Sequence, residues 1–390
     1  MKMIRKNDDL PMEKFLASVI KKQVFRDYAE GKIKNMMERI DAGYSIKPGE
    51  IADPIYTIAK ARISVRKKYT RWNQLYLDAF SASYSTPEII GRYRAERIDR
   101  NVIDLGSGAG MQAIMFGLKN KSYGIEINRS RYLMSQLNSL VYSSDVTFMN
   151  VDVFDFKEEY DGIIFSDPLR IRNGKTISLN PQPEAMMKKF PYRSCAFDLP
   201  PKMDINEVKI KGESEYISVN GYLSRLTLYT GELQHSESSA HIFPADIHFE
   251  GIRHDTEFMP GDPEHYIYVP DEALVYAGLL QDYSHMTLLE KDKRRIVLSS
   301  NEEIRDFPGT VYNVIDVCSS ADLVEKTKSK NARNIFLRYA VDPDAYYRIT
   351  SEMKNPLGSG SLYIFRSGQR YYVTEMIRDI NWKNSSDHES

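Results

Sequence analysis

The chain has 390 residues, of which 42% are hydrophobic and 27% charged. That is enough for two or three packed domains of about 150 residues each, and it excludes a disordered chain. No run of about 18 apolar residues occurs, so no transmembrane helix and no membrane partner are expected. The charged start MKMIRKNDDLPMEKF also lacks a signal-peptide core. The two cysteines, Cys195 and Cys318, have no metal-ligand spacing. A disulfide scaffold and a cysteine zinc site are therefore not expected, and a reducing cytoplasm is the expected compartment. The net charge of −1 conceals an asymmetry: residues 1–100 carry 21 basic against 13 acidic side chains, the remainder 32 against 41. A basic first quarter suits a polyanion, although solvated helices have the same composition.

Residues 12–41 read as helical, with Phe15, Leu16, Val19, Ile20, Val24 and Phe25 at three- and four-residue spacing. Gly43 and Pro48 break the pattern. A second helix is expected from about Pro54 to Phe80. It carries Arg66, Lys67 and Lys68 among Tyr69, Trp72 and Tyr76. A third is expected to open on the capping box Ser85-Thr86-Pro87-Glu88. From residue 101 short apolar runs alternate with helical stretches, which is the βαβ texture of a parallel sheet. After about Ser214 the pattern turns antiparallel, around the hairpin signal Asn220-Gly221. Five of the seven histidines fall within 235–265, but no pair has convincing i, i+4 helical spacing, so no metal is expected. Asp271 is placed to cap a helix running to about Tyr283. Residues 309–378 alternate strand, helix, strand, helix and two strands, as a small α/β module would.

The most informative stretch is Asp104-Leu105-Gly106-Ser107-Gly108-Ala109-Gly110, where a strand ends in a glycine turn and a helix begins. Glycines there let the backbone approach a ligand and adopt positive φ. Dinucleotide sites share the device, but an acid two residues before the first glycine disfavours a pyrophosphate and favours a cationic ligand. S-adenosylmethionine (SAM), with its ammonium and sulfonium, suits Asp104. Glu126 ends the next strand, where a carboxylate can accept from both ribose hydroxyls. Asp152 follows the third strand and can accept the adenine amine, with the Val153 N–H serving a ring nitrogen. Through DLGSGAG, GIEIN and NVDVFDF the chain resembles the class I SAM-dependent methyltransferases. The resemblance implies a Rossmann-like α/β sheet.

In that superfamily the end of the fourth strand faces the methyl group. Here it reads Ser166-Asp167-Pro168-Leu169-Arg170. By resemblance Asp167 and the Pro168 carbonyl would orient a target amine and disperse its developing charge. Leu169 stands where amine-methylating relatives have a second proline. The stacking aromatic is missing too. Neither cysteine adjoins the glycine loop, so no covalent nucleophile is expected.

A wider resemblance is to SAM-dependent methyltransferases with a C-terminal THUMP-like domain. It runs through SVRKKY, STPEIIGRYRAERI, the Asp-Pro-x-Arg loop at 167–170, EYISVNG, YIYVPDEALVYAGL and ARNIFLRYAVDPDAYY. It implies four parts: an N-terminal helical, basic region (1–98), a SAM-binding domain (99–250), a connecting segment (251–308) and a THUMP-like domain (309–380). It implies that Thr86 closes over the methionine end of SAM. Arg170 is retained from the family's paired arginines, and Arg172 is a candidate for the other. RNA (tRNA or rRNA) is then the expected partner, methylated at a base nitrogen. Arg66, Lys67, Lys68 and Arg170 would hold phosphate. Lys326, Lys328, Lys330, Arg333 and Arg338 would add positive charge in the terminal module. A protein or small-molecule acceptor, or a non-catalytic SAM- and RNA-binding module, remains open at this point.

Overall fold

The computed structural model describes residues 10–157, 160–173, 176–191, 193–292 and 295–381. The chain divides into two compact units, Met1–Asp198 with Tyr229–Leu233, and Leu199–Leu228 with Gln234–Ser390. The fold is mixed α/β, and among the described residues no helix is long and apolar enough to cross a membrane.

The first unit opens with helices α1 (Leu10–Lys21), α2 (Gln23–Asp41), α3 (Pro48–Ile51), α4 (Pro54–Ser64), α5 (Ala79–Tyr84) and α6 (Glu88–Ile98). The expected helix over 54–80 is two helices, and the cause lies between them. Leu75, Tyr76 and Leu77 are all buried, which a helix surface would not permit. The chain there is tied at both ends: Arg62 donates to the carbonyls of Gln74 and Leu75 (3.1 and 2.7 Å). Asn138 pairs with both the N–H and the carbonyl of Tyr76 (2.8 and 3.0 Å). The expected capping box is absent as well. Pro87 is the N-cap and has no side-chain cap, while Glu88 accepts instead from the N–H of Thr70 at 2.8 Å.

The sheet of this unit comprises β1 (Val102–Leu105), β2 (Ser122–Ile125), β3 (Val146–Met149), β4 (Ile163–Ser166) and β7 (Cys195–Leu199). They lie in the order β7-β4-β1-β2-β3 and every pairing is parallel. Helices α7 (Met111–Gly117) and α8 (Arg129–Tyr142) make the crossovers. All seven residues of α7 are buried. A continuous core joins Leu16, Val19, Ile33 and Ile58 of the first helices to Ile114, Met134 and Leu137 of α7 and α8. The basic N-terminal region is thus a helical layer packed on these crossovers. A hairpin, β5 (Leu169–Asn173) with β6 (Thr176–Asn180), and helix α9 (Pro183–Lys189) follow β4.

The second unit begins with β8 (Glu213–Val219), β9 (Tyr222–Tyr229), β10 (Ser238–Phe243) and β11 (Ile247–Gly251). Asn220 and Gly221 both have positive φ (53° and 79°). This is the type I′ turn that the pair Asn-Gly predicts. The remaining strands are β12 (Met259–Pro260), β13 (Tyr266–Pro270), β14 (Thr287–Asp292), β15 (Arg295–Ser300), β16 (Gly309–Cys318), β17 (Asn334–Leu337), β18 (Ser361–Ser367) and β19 (Arg370–Asp379). They form one eight-stranded sheet in the order β12-β14-β15-β13-β16-β19-β18-β17. The stretch 251–308, expected to connect, therefore supplies four of its strands, and β13 pairs directly with β16. Helices α10 (Glu272–Ala277), α11 (Leu323–Ser329) and α12 (Pro343–Met353) complete the unit. Asp271 caps α10 as expected, accepting from Ala273 N–H at 2.9 Å. The helix stops at Ala277, short of the expected Tyr283, because Gly278 turns left-handed (φ 68°).

Candidate functional site

The carboxyl ends of β1, β2 and β4 converge on the glycine turn after β1. Parallel sheets bind ligands at such a point, because the strand order reverses on either side of β1. Asp104 pairs in register with Gly124 of β2 and Phe165 of β4. Its side chain is 2% exposed. Gly106, Gly108 and Gly110 all have positive φ (84°, 58° and 85°). The three are not equivalent. A Cβ on Gly110 would lie 2.7 Å from Phe148 and from Ser135, so that glycine serves packing. A Cβ on Gly106 or Gly108 would meet nothing within 4 Å, so these two line open space.

Glu126, just beyond β2, is buried and holds the turn: its carboxylate accepts from Gly108 N–H at 2.8 Å and Asn128 N–H at 2.7 Å. Asn150, beyond β3, donates to the carbonyls of Glu126 and Ile127 (2.7 and 3.0 Å) and so fixes one strand end on the next. Asp152 accepts from the N–H of Phe154 at 2.8 Å, which shapes the turn containing the half-buried Val153. Asp167 is half-buried and Pro168 buried at the end of β4. Leu169 and Arg170 are exposed and already belong to β5, so the expected Asp-Pro-x-Arg loop is a two-residue link into a hairpin.

The electrostatics of this end are acidic. Burial pushes the Asp104 carboxyl well above the usual carboxylate range, and the neighbouring carboxylates of Asp167 and Glu126 push the same way. Burial also raises Glu126, against its backbone hydrogen bonds and Arg131. Two clustered carboxyl groups in low dielectric resist full ionisation until a cation joins them. The site residues therefore match a ligand that has a positive centre, ribose hydroxyls and a flat ring. The open glycine cradle gives that ligand room.

Thr86, Arg66, Lys67 and Lys68 belong to the helical layer before β1. Thr86 is buried, and its carbonyl accepts from the Tyr69 hydroxyl at 2.6 Å. Arg66 pairs with Asp41 and lies over the Trp72 ring (5.0 Å to the centroid). Lys67 is exposed. The Lys68 ammonium donates to the Ala82 carbonyl at 3.0 Å, at the end of α5. The side chain of Arg172 lies outside the described residues. In the second unit, Lys326 and Lys330 both approach Asp316 (3.3 and 3.6 Å). His241 of the histidine-rich stretch pairs with Asp246 at 2.9 Å, and no cluster of three metal-ligating side chains occurs among the described residues. Burial in β7 pushes the Cys195 thiol up to about 11.

Several residues escape sequence reasoning. Arg94 of α6 is fully buried and donates to Asp198 of β7 at 2.7 Å. An acid inside the apolar run CAFDL signals a buried cation somewhere, but not which of 53 basic residues supplies it. Asp78 and Arg131, 3.6 Å apart, act electrostatically on Glu126. Ile127 and Phe154 are large apolar side chains, 64% and 55% exposed, immediately following Glu126 and Val153.

Comparison with known proteins places the architecture. No family model matches the chain, and no curated protein matches it. Among solved structures, a crystal structure from Porphyromonas gingivalis W83 described as a "putative methyltransferase" superposes with a TM-score of 0.72 at 17% identity. It covers 94% of this chain and 99% of that one. A 16S rRNA N2 G1207 methyltransferase of T. Thermophilus, in complex with AdoMet and guanosine, matches at TM-score 0.30 and 17% identity, over 40% and 44% of the two chains. An RNA methyltransferase of Salinibacter ruber, in complex with S-adenosyl-L-homocysteine, matches at 0.26 and 15%, over 37% and 90%. The fold is the Rossmann-like α/β fold of the Porphyromonas gingivalis structure, which the chain follows over nearly its whole length.

Proposed function

We propose that the chain is a SAM-dependent methyltransferase acting on a base nitrogen of an RNA, tRNA or rRNA. The carrying observation is the set of three strand-end carboxyl groups, Asp104, Glu126 and Asp167, around the open glycine cradle at Gly106 and Gly108. Bound SAM supplies an electrophilic methyl on a positive sulfur. Asp104 answers the cationic methionine end, with the Gly108 N–H and Thr86 closing round it. Glu126 exchanges its contact with Gly108 N–H for ribose hydroxyls. Asp152 and Val153 N–H meet the adenine edge, and the exposed Ile127 and Phe154 cover its faces. Asp167 and the Pro168 carbonyl accept from the target amine. They aim its lone pair at the methyl and stabilise the charge that develops there.

The RNA part of the reading is supported by the exposed positions of Lys60, Lys67, Arg71 and Arg170. A phosphate backbone favours such a surface, and Arg66 and Lys68 would reinforce it. We read the terminal strands and helices 309–380, which share one sheet with β12 to β15, as the THUMP-like part of the second unit. Calorimetric titration tests the reading. SAM should bind in the micromolar range, and RNA binding should weaken steeply with salt, since each phosphate contact contributes about one unit of log–log slope. No SAM binding contradicts the cofactor assignment. Salt-independent methylation of a neutral small molecule or protein contradicts the RNA assignment alone.

A further inference from the structure

The ion pair between Arg94 and Asp198 lies under the proposed site and has no role in the chemistry above. Both side chains are 0% exposed. Arg94 also donates to Gln112 Oε1 at 3.3 Å, in the first turn of α7 and two residues after Gly110 of the glycine loop. Its guanidinium lies 5.4 Å from the centre of the Phe165 ring, and Phe165 is the register partner of Asp104 and stands two residues before Asp167. Arg94 is thus fastened to the strand ends that present both carboxylates, and it acts electrostatically on Asp104 and Asp167. A buried ion pair is seldom the cheapest way to fill a core, since an apolar pair of equal volume packs as well or better. Its retention here calls for another role.

We propose that Arg94 is a positioning residue for the cofactor site: held by Asp198 and Gln112, it sets the charge that Asp104 and Asp167 present to a cationic ligand. The inference rests on the SAM reading of the site. The groups facing Asp104 are Asp167 beyond β4, Glu126 beyond β2, Arg94 from α6 and the Ala113 N–H of α7. Asp198 and Gln112 face Arg94 in turn. Arg94 favours the ionised form of Asp104 and the carboxylates oppose it. A cation arriving at the cradle completes the ionisation, so SAM affinity should rise with pH to a plateau, at a midpoint that Arg94 sets. Adenosine has neither the ammonium nor the sulfonium and should depend on pH far less.

The experiment is calorimetric titration of the full chain with SAM and with adenosine across the pH range. The variants are R94M/D198L, which replaces the pair by apolar side chains, R94K, which keeps the charge, and D198N, which keeps Arg94 and removes its counter-charge. R94M/D198L should move the SAM midpoint up by about one unit, making SAM about tenfold weaker below it. Its affinity for adenosine should change less than about threefold, a tolerance of roughly 0.6 kcal/mol. R94K should retain the wild-type midpoint. D198N should move it down, and it decides the matter even if the apolar pair fails to fold. A wild-type midpoint in D198N, or in folded R94M/D198L, overturns the inference and leaves the pair a packing element. A wild-type chain that binds no SAM at any pH overturns the cofactor reading itself, and this inference with it.

Discussion

Gly108→Ala separates a ligand cradle from a mere turn. Gly108 has φ 58°, inside the left-handed region, and a Cβ there meets nothing within 4 Å. The variant should therefore fold, losing about 1–2 kcal/mol for the left-handed alanine. Gly43, after α2, has φ 73° and the same open surroundings, and it is exposed in the helical layer. Gly43→Ala should lose a similar stability and measures the strain alone. The two differ at the ligand. A methyl on Gly108 projects into the cradle and pushes a bound molecule off the Gly108 N–H. Losing the Gly108 hydrogen bond at about 1–1.5 kcal/mol weakens SAM by roughly 5- to 13-fold. Thermal unfolding gives the stability of each variant, and calorimetry the SAM affinity. If Gly108→Ala binds SAM within about threefold of wild type, a difference of roughly 0.6 kcal/mol, the cradle is not where the ligand lies.

Other predictions follow from single residues. Because burial and neighbouring carboxylates raise Asp104, and burial raises Glu126, both hold protons more tightly in the fold than in the unfolded chain. Their contribution to stability is full below the ordinary carboxylate range and is lost as pH rises through the folded values. A cationic ligand favours the ionised forms, so SAM binding should release protons, seen as a binding enthalpy that changes with the buffer's ionisation enthalpy; identical enthalpies in all buffers would contradict this. Asn138→Ala leaves the Tyr76 N–H and the carbonyls of Tyr76 and Ala109 without their side-chain partner. It should cost about 2–4 kcal/mol in denaturant unfolding, and a loss under 1 kcal/mol would contradict the three-bond geometry. Arg62→Met removes the bonds that Glu30 accepts from Arg62 at 2.8 and 2.9 Å, leaving it the Tyr76 hydroxyl, and frees two carbonyls. A loss of about 2–3 kcal/mol is expected, with SAM affinity per folded molecule unchanged.

The parallel sheet and its glycine turn were legible because their signals are local. Short apolar runs end in glycines or acids, and each acid falls at a strand end whatever packs around it. The Asn220-Gly221 turn was legible for the same reason, since its two positive φ values are a property of the dipeptide. The N-terminal layer was not. Arg62 and Arg94 count toward a basic surface in composition, yet both are buried in ion pairs formed with residues 32 and 104 positions away. The extended segment Leu75–Leu77 has no turn residue to announce it; tertiary hydrogen bonds from Arg62 and Asn138 impose it. Glu88 looked like the fourth residue of a capping box but is engaged by Thr70 and Tyr142 (2.8 Å each). Strand β13 was missed as the partner of β16, and β14 and β15 as members of the same sheet, because pairing across a long interval of chain leaves no periodic mark.

The account turns on methyl transfer controlled by Asp167. The measurement is incorporation of labelled methyl from SAM into total RNA prepared from cells lacking this chain, using the full chain and Asp167→Ala, with SAM affinity measured on both proteins. The account predicts label in RNA with wild type, loss of at least about a hundredfold in Asp167→Ala, or roughly 2.7 kcal/mol of transition-state stabilisation, and SAM affinity within a few-fold. Nuclease digestion should then place the methyl on a base nitrogen. Equal labelling by the two proteins would contradict the role of Asp167. Tight SAM binding with no label in any RNA would contradict the RNA methyltransferase assignment itself.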